Sequence, residues 1–329
     1  MTAGRGVLLL VLGIVFTAAG PMARAIDAQS PRLVKIGALT DSWGATPTIV
    51  GLRDGLQELG RRENQDFVIG VRFTQGNAAE LPEAARALVR HGVDLIVAAS
   101  GVSATKAAQM ATTQIPIVFM GVSDPVGAGL VKSFAHPGAN ITGIADLELE
   151  LVPKRLEIFR ELIPGLKRVL LVYDATNAIA VSRLPVHRDA AHRLGLTLVE
   201  RPVRTEDEAR AVISGIRKGE VDGIFSPRLL SLNIPGVILE SAPKRALPTM
   251  FDDPFYVERT GLASYSPDNY VVGRQAARLV DKILKGAKPG DVPVEQPTKF
   301  ELAINLKVAK ALGVTIPQSI LLRADRIIE

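Results

Sequence analysis

The sequence predicts an α/β chain of two doubly wound, parallel-sheet lobes joined by a hinge of three short segments. Three observations carry that reading. The 329 residues exceed the roughly 100 to 200 of a single domain. Strand and helix patterns alternate at the lengths of a parallel sheet covered on both faces. The alternation then restarts after a turn-rich stretch, His136-Pro137-Gly138-Ala139-Asn140-Ile141-Thr142-Gly143.

The first residues are set aside before fold reasoning. Arg5, the apolar run Val7 to Ala19 and the small-x-small pattern Ala23-Arg24-Ala25 read as a secretory signal, residues 1–25, cleaved after Ala25. The run is short against the ~20 residues of a membrane span, and no comparable run follows. An exported, soluble chain is expected. The sequence holds no cysteine, which excludes disulfides, thiolate metal sites, a cysteine nucleophile and a lipid-modified cysteine at the cleavage site. Export without a lipid anchor points to the bacterial periplasm. Without Arg5 and Arg24 the 39 basic residues fall to 37 against 34 acidic, and these charges are dispersed. No clustered basic face suggests nucleic acid as a partner.

The elements follow in order. Leu33 to Leu39 reads as a strand, Thr40-Asp41-Ser42-Trp43-Gly44 as a polar loop, and Leu52, Leu56 and Leu59 as a helical stripe stopped by Gly60. Strands at Phe67 to Phe73 and Asp94 to Ala98 flank a helix from Ala79 to Arg90. A further helix follows Ser100. Ile117-Val118-Phe119-Met120 after Pro116 is a buried strand that runs out in Gly121-Val122-Ser123-Asp124-Pro125. It reads as the last strand of the first lobe, and residues 136–143 as the first crossing.

The second lobe repeats the pattern. Helices are expected at Pro153 to Leu162, Asn177 to Leu194, Glu206 to Lys218 and Ile234 to Lys244. Strands are expected at Arg168 to Tyr173, Leu196 to Glu200, Asp222 to Phe225 and Leu247 to Phe251. Gly261 to Tyr265 reads as another crossing, Asn269 to Lys285 as an amphipathic helix, Thr298 to Asn305 as a strand and Asn305 to Leu312 as a short helix. The first lobe is then 26–145 with 266–291, and the second 146–265 with 292–329.

Ligands in such sheets bind outside the carboxyl ends of the strands. Ser100, Gly101 and Ser103 lie between a strand end and a helix start, where amides and hydroxyls suit a carboxylate; ordinary capping is the competing reading. Ser123 and Asp124 suit an ammonium or hydroxyl, or else make a plain turn before Pro125. Thr40, Asp41 and Trp43 sit on the first strand-to-helix loop, where the indole suits either a planar ligand or burial. Tyr173, Asp174, Asn177, Ser226, Asp252 and Tyr265, at strand ends or the crossing, are expected to include the opposing jaw.

His187 and His192, five apart, do not share a helix face, so a solvated surface is expected there and no metal. Nucleophile elbows, Walker loops and dinucleotide fingerprints are missing. No enzyme, catalytic residue or cofactor is expected.

The chain also resembles a known family. Asp281-Lys282-Ile283-Leu284-Lys285-Gly286 through Val292-Pro293-Val294-Glu295-Gln296-Pro297-Thr298-Lys299-Phe300-Glu301-Leu302, then Ile304-Asn305-Leu306-Lys307 and Ala309-Lys310-Ala311-Leu312-Gly313, is similar to the carboxyl-terminal signature of one group of ABC-transporter substrate-binding proteins, which includes tryptophan and tyrosine binders. Ser123 to Val131, Pro137 to Gly143 and Ser264 to Asp268 match it as well. Ser266, His136 and Ala139 depart from the usual residues, and Tyr173 to Ala178 follows its pattern loosely. The resemblance implies a type I periplasmic-binding fold and a monomer that closes two lobes over a small solute, such as an aromatic or branched amino acid or an aromatic acid. Its partner would be the permease subunits of an importer in the inner membrane. A sensory module serving a membrane kinase or chemoreceptor is the alternative.

Overall fold

In the computed structural model, the described residues are 32–42, 44, 46–228 and 232–329. The signal sequence and Trp43 lie outside them. Two sheets organise the chain.

The first sheet has the order β2-β1-β3-β4-β5 and is parallel throughout. It consists of β1 (Val34–Thr40), β2 (Phe67–Phe73), β3 (Leu95–Ala98), β4 (Ile117–Val122) and β5 (Ile141–Ala145). Helices α1 (Pro47–Glu58), α2 (Leu81–Arg90) and α3 (Gly101–Ala111) connect these strands. Inward residues such as Ile36, Leu95 and Phe119 are buried, as expected of strands covered on both faces.

The chain then enters the second sheet, ordered β12-β11-β10-β9-β8-β6-β7. After α4 (Val152–Leu162) come β6 (Arg168–Asp174), α5 (Ala178–Arg193), β7 (Thr197–Val203), α6 (Glu206–Gly215), β8 (Gly223–Ser226), α7 (Ile234–Ser241), β9 (Thr249–Phe251), α8 (Pro254–Val257) and β10 (Ala263–Pro267). Next, α9 (Asn269–Leu284) returns to the first sheet, where Val272, Ala276 and Leu279 join Ile36, Leu52 and Val118 in one buried cluster. β11 (Phe300–Asn305), α10 (Leu306–Ala311), α11 (Gln318–Leu321) and β12 (Arg326–Ile328) complete the second sheet. The chain therefore passes between the sheets three times: after β5, between β10 and α9, and before β11.

Several sequence expectations change. Residues 141–145 are not a crossing but the edge strand β5, so β4 is an interior strand of its sheet. The turn signals at Pro137 and Gly138 stop just short of it, and the buried strand Ile141-Thr142-Gly143-Ile144-Ala145 was hidden behind them. Likewise 263–267 is strand β10, paired with β9 in parallel and with β11 antiparallel. The second sheet is thus mixed rather than purely parallel. The last passage is pinned by Gln275, whose Nε2 donates to the Gln296 carbonyl at 3.0 Å and whose Oε1 accepts the Thr298 N–H at 3.0 Å. His187 is buried, not solvated: its ring lies 5.9 Å from Phe225 and its Nδ1 is 2.8 Å from the Arg183 carbonyl.

Candidate functional site

On the first sheet, the carboxyl ends of β1 and β3 are tied by hydroxyls. Thr40 Oγ1 lies 2.8 Å from Ser100 Oγ and donates to Ser42 Oγ at 3.0 Å, while Ser100 Oγ accepts the Asp41 N–H at 3.0 Å. Ser100 therefore braces the β1 loop and makes no side-chain cap bond to α3. Gly101 begins α3 at φ +61°, and a Cβ there would stand 3.0 Å from the Gly121 carbonyl. This close approach seats the uncapped α3 terminus against the bulge in β4 between Met120 and Val122. Ser103 is exposed on the first turn and Ser123 half-buried at the end of β4. An amide-lined terminus beside hydroxyls suits an anionic group.

Asp124 serves the turn: its Oδ1 accepts the Gly127 N–H at 2.7 Å. Asn177 is likewise a helix cap, accepting from Ile179 and Ala180 at the start of α5. Asp174 is buried and accepts both the backbone N–H and the hydroxyl of Thr176. Tyr173 is half-buried beside it. Tyr265 points elsewhere: its ring stacks on Phe300 at 6.0 Å and lines a recess of about 340 Å³ with Lys154, Ile158 and Arg323. The alternation of β10 sends Ser264 and Ser266 to the opposite face, so the Tyr265 ring is not brought together with the strand-end groups.

Ser226 and Asp252, at the ends of β8 and β9, are buried, and the Ser226 hydroxyl has no hydrogen-bond partner among the described residues. Asp252 belongs to an ion network that sequence reasoning missed. Arg228 donates from Nη1 to Asp146 at 2.6 Å, from Nε to Asp252 at 3.2 Å and from its backbone N–H to Glu148 at 3.1 Å. Glu148 also accepts Arg155 Nη1 at 2.8 Å, and Arg155 Nε donates to the Tyr265 carbonyl at 2.6 Å. Asp146 directly follows β5, so its pair with Arg228 joins the carboxyl edges of the two sheets.

Electrostatics differ among these acids. Burial pushes Glu148 up, but the Arg155 and Arg228 guanidiniums outweigh it and hold the carboxyl below the usual range. Asp252 is pushed up to about 7, by burial and then by the Glu148 charge, against the pull of Arg228 and Arg155. Burial also raises Asp253 and Tyr256. One signal for the network was legible: Arg155 shares the helical stripe Val152, Leu156 and Phe159, where a charge demands a buried partner. Arg228, after Ser226-Pro227, carries no such signal.

Comparison with known proteins decides the family. Residues 34–328 match the model described as ABC transporter substrate binding protein. The chain belongs to that family. Its members are solute-binding proteins, and the two sheets have the type I periplasmic-binding architecture. A curated tyrosine-binding protein of Clostridioides difficile (strain R20291) is 28% identical over 88% of this chain and 83% of that protein. A crystal structure of a conserved domain protein from Vibrio cholerae is 31% identical, with a TM-score of 0.77 over 90% of this chain and 100% of that one. A Streptococcus pneumonia ABC domain in complex with L-Trp is 27% identical, with a TM-score of 0.77 and the same coverage of both chains. Among the described residues no helix is long and apolar enough to cross a membrane, and no group of His, Cys, Asp or Glu could hold a metal ion.

Proposed function

We propose that this substrate-binding protein captures a small carboxylate-bearing solute of the aromatic amino acid class between its two lobes, in the periplasm, and presents it to the permease of an ABC importer. The observation that carries the reading is the uncapped start of α3 beside the Thr40–Ser100 hydroxyl pair, at the carboxyl ends of β1 and β3. The relatives that bind tyrosine and tryptophan supply the ligand class. Thr40, Asp41, Ser100, Gly101, Ser103 and Ser123 form the first jaw, and Ser226 and Asp252 stand on the second. Asp124 and Asn177 hold their loops in shape, and the Tyr265 ring supports the sheet from its far face. The ligand drives closure only through its greater affinity for the closed arrangement.

The test is a thermal-shift and calorimetric screen of the chain without residues 1–25 against L-tyrosine, L-tryptophan, L-phenylalanine, L-leucine and the matching des-amino acids. Ligand at ~100 times its dissociation constant stabilises by about 2.7 kcal/mol. Ser100→Ala should weaken the ligand at least tenfold by releasing the β1 loop. A screen in which no carboxylate raises the melting temperature would refute the assignment.

A further inference from the structure

Arg228 is shared between carboxylates that belong to different sheets. Asp146 is bound to the first sheet, because its backbone N–H continues the pairing of β5 with β4 through a 3.0 Å bond to the Val122 carbonyl. Asp252 directly follows β9 of the second sheet. Arg155 is engaged by Glu148 and the Tyr265 carbonyl, which leaves Arg228 facing both aspartates, at 2.6 Å for Asp146 and 3.2 Å for Asp252. Four carboxylates, Asp146, Glu148, Asp252 and Asp253, thus gather around two guanidiniums. In a buried site such an excess of negative charge is poorly screened.

The groups acting on Asp252 come from several elements: Glu148 from the passage after β5, Arg155 from α4, Arg228 from just past β8, and Asp253 and Tyr256 from its own loop and α8, with Asp146 linked through the shared Arg228. The surrounding acids hold the Arg228 guanidinium charged, and the Tyr256 phenol, raised by burial, stays neutral. Glu148 accepts two charged or polarised donors and stays ionised. Asp253 accepts the Phe255 N–H at 2.9 Å, yet burial outweighs that bond and raises it as well. Asp252, raised to about 7 by burial and by Glu148, is the acid in direct contact with Arg228 that changes state near neutrality.

We propose that Arg228 is a latch across the two sheets, that its hold on Asp146 is set by whether Asp252 carries a proton, and that ligand capture is therefore proton-linked. A neutral Asp252 gives up its claim on the guanidinium, which then pairs with Asp146 and draws the sheet edges together. An ionised Asp252 pulls Arg228 toward the second sheet. A ligand that touches both sheets favours the drawn-together arrangement too, so its affinity rises as pH falls through neutrality, by up to tenfold per pH unit for one proton. This ligand effect rests on the capture reading above; the latch itself does not.

The experiment has two arms. In the absence of ligand, the radius of gyration by X-ray scattering and the infrared carbonyl band of a protonated carboxyl are followed between about pH 5.5 and 8.5. With increasing pH the wild type should lose the band and expand, Asp252→Asn should keep the compact acid-side dimension throughout, and Asp146→Asn should be expanded at every pH. In the second arm, calorimetry with L-tyrosine and L-tryptophan should give pH-dependent affinity in the wild type and a flat profile in Asp252→Asn. A ligand-free wild type whose dimensions and carbonyl band do not change, or an Asp252→Asn protein that titrates like the wild type, would overturn the latch. If neither amino acid binds at any pH, the capture reading fails, and the ligand-free arm still decides the latch.

Discussion

Replacing Gly273 by alanine tests how the returning helix is locked to the first sheet. α1 and α9 meet backbone to backbone: a Cβ on Gly273 would lie 2.0 Å from the Thr48 carbonyl oxygen and 2.7 Å from the Leu52 nitrogen. Gly51 meets the Tyr270 carbonyl from the other side at the same 2.0 Å, and a Cβ on Gly55 would lie 2.8 Å from that of Ala277. The obstructing atoms are main chain and cannot rotate away. To reach an ordinary contact the helices must part by more than about 1 Å, which loosens Leu52, Val272 and Ala276 in a close-packed core. Overpacking of this kind costs about 1–3 kcal/mol, here at the upper end. The alanine returns ~1 kcal/mol of helix propensity, so the net loss is about 2 kcal/mol. Gly215, in α6, has open space around it, and Gly215→Ala should raise stability by up to ~1 kcal/mol. Urea unfolding followed by circular dichroism reads both variants. A Gly273→Ala protein as stable as the wild type, or stabilised like Gly215→Ala, would refute the helix contact.

The remaining predictions concern buried polar groups. Arg155→Met strands Glu148 without its strongest partner and should cost about 3–5 kcal/mol, while the double variant Glu148→Gln with Arg155→Met should cost less than the sum, as unfolding midpoints will show. Burial holds the His187 imidazole neutral and below its usual value; the unfolded chain protonates at about 6.5, so this residue's contribution is present above that pH and lost below it. His187→Phe should therefore flatten the stability profile on the acid side of about 6.5. Asp252 has the opposite sign. Its folded value of about 7 lies above the unfolded one, so its contribution is full at low pH and lost as pH rises toward 7, and Asp252→Asn should remove that decline. Asn305 caps α10 through the Val308 N–H at 3.0 Å and also bonds the Val257 carbonyl at 2.8 Å; Asn305→Ala should lower the melting temperature by an amount equivalent to about 1–2 kcal/mol.

The sheets were legible because burial writes a long, repetitive signal. Runs such as Ile117 to Met120 and stripes such as Val272, Ala276 and Leu279 need apolar residues at every turn, and they appear in the structure where the periodicity puts them. β5 and β10 were not legible, because their five-residue runs lie beside Gly, Pro and Ser residues whose turn signals dominate a short window. Asp124 and Asn177 show a different limit. A polar residue at a strand end scores alike as a cap or as a contact, and what the structure adds is that each accepts from its own loop, Asp124 from the Gly127 N–H and Asn177 from the Ile179 N–H.

The ion network was hidden for a further reason: 146, 148 and 155 lie near one another, but 228 and 252 are far along the chain and nothing local couples them to that group. What unites them is the side-by-side placement of the passage after β5 and the ends of β8 and β9. Burying charged side chains is costly unless each finds a partner, so the buried Asp146, Glu148, Arg155 and Asp252, with the half-buried Arg228, favour arrangements in which those three segments lie side by side. The same charges that a window of sequence scores as ordinary surface residues therefore fix how the sheet edges meet. Because they number more acids than bases, they also leave that junction responsive to a proton.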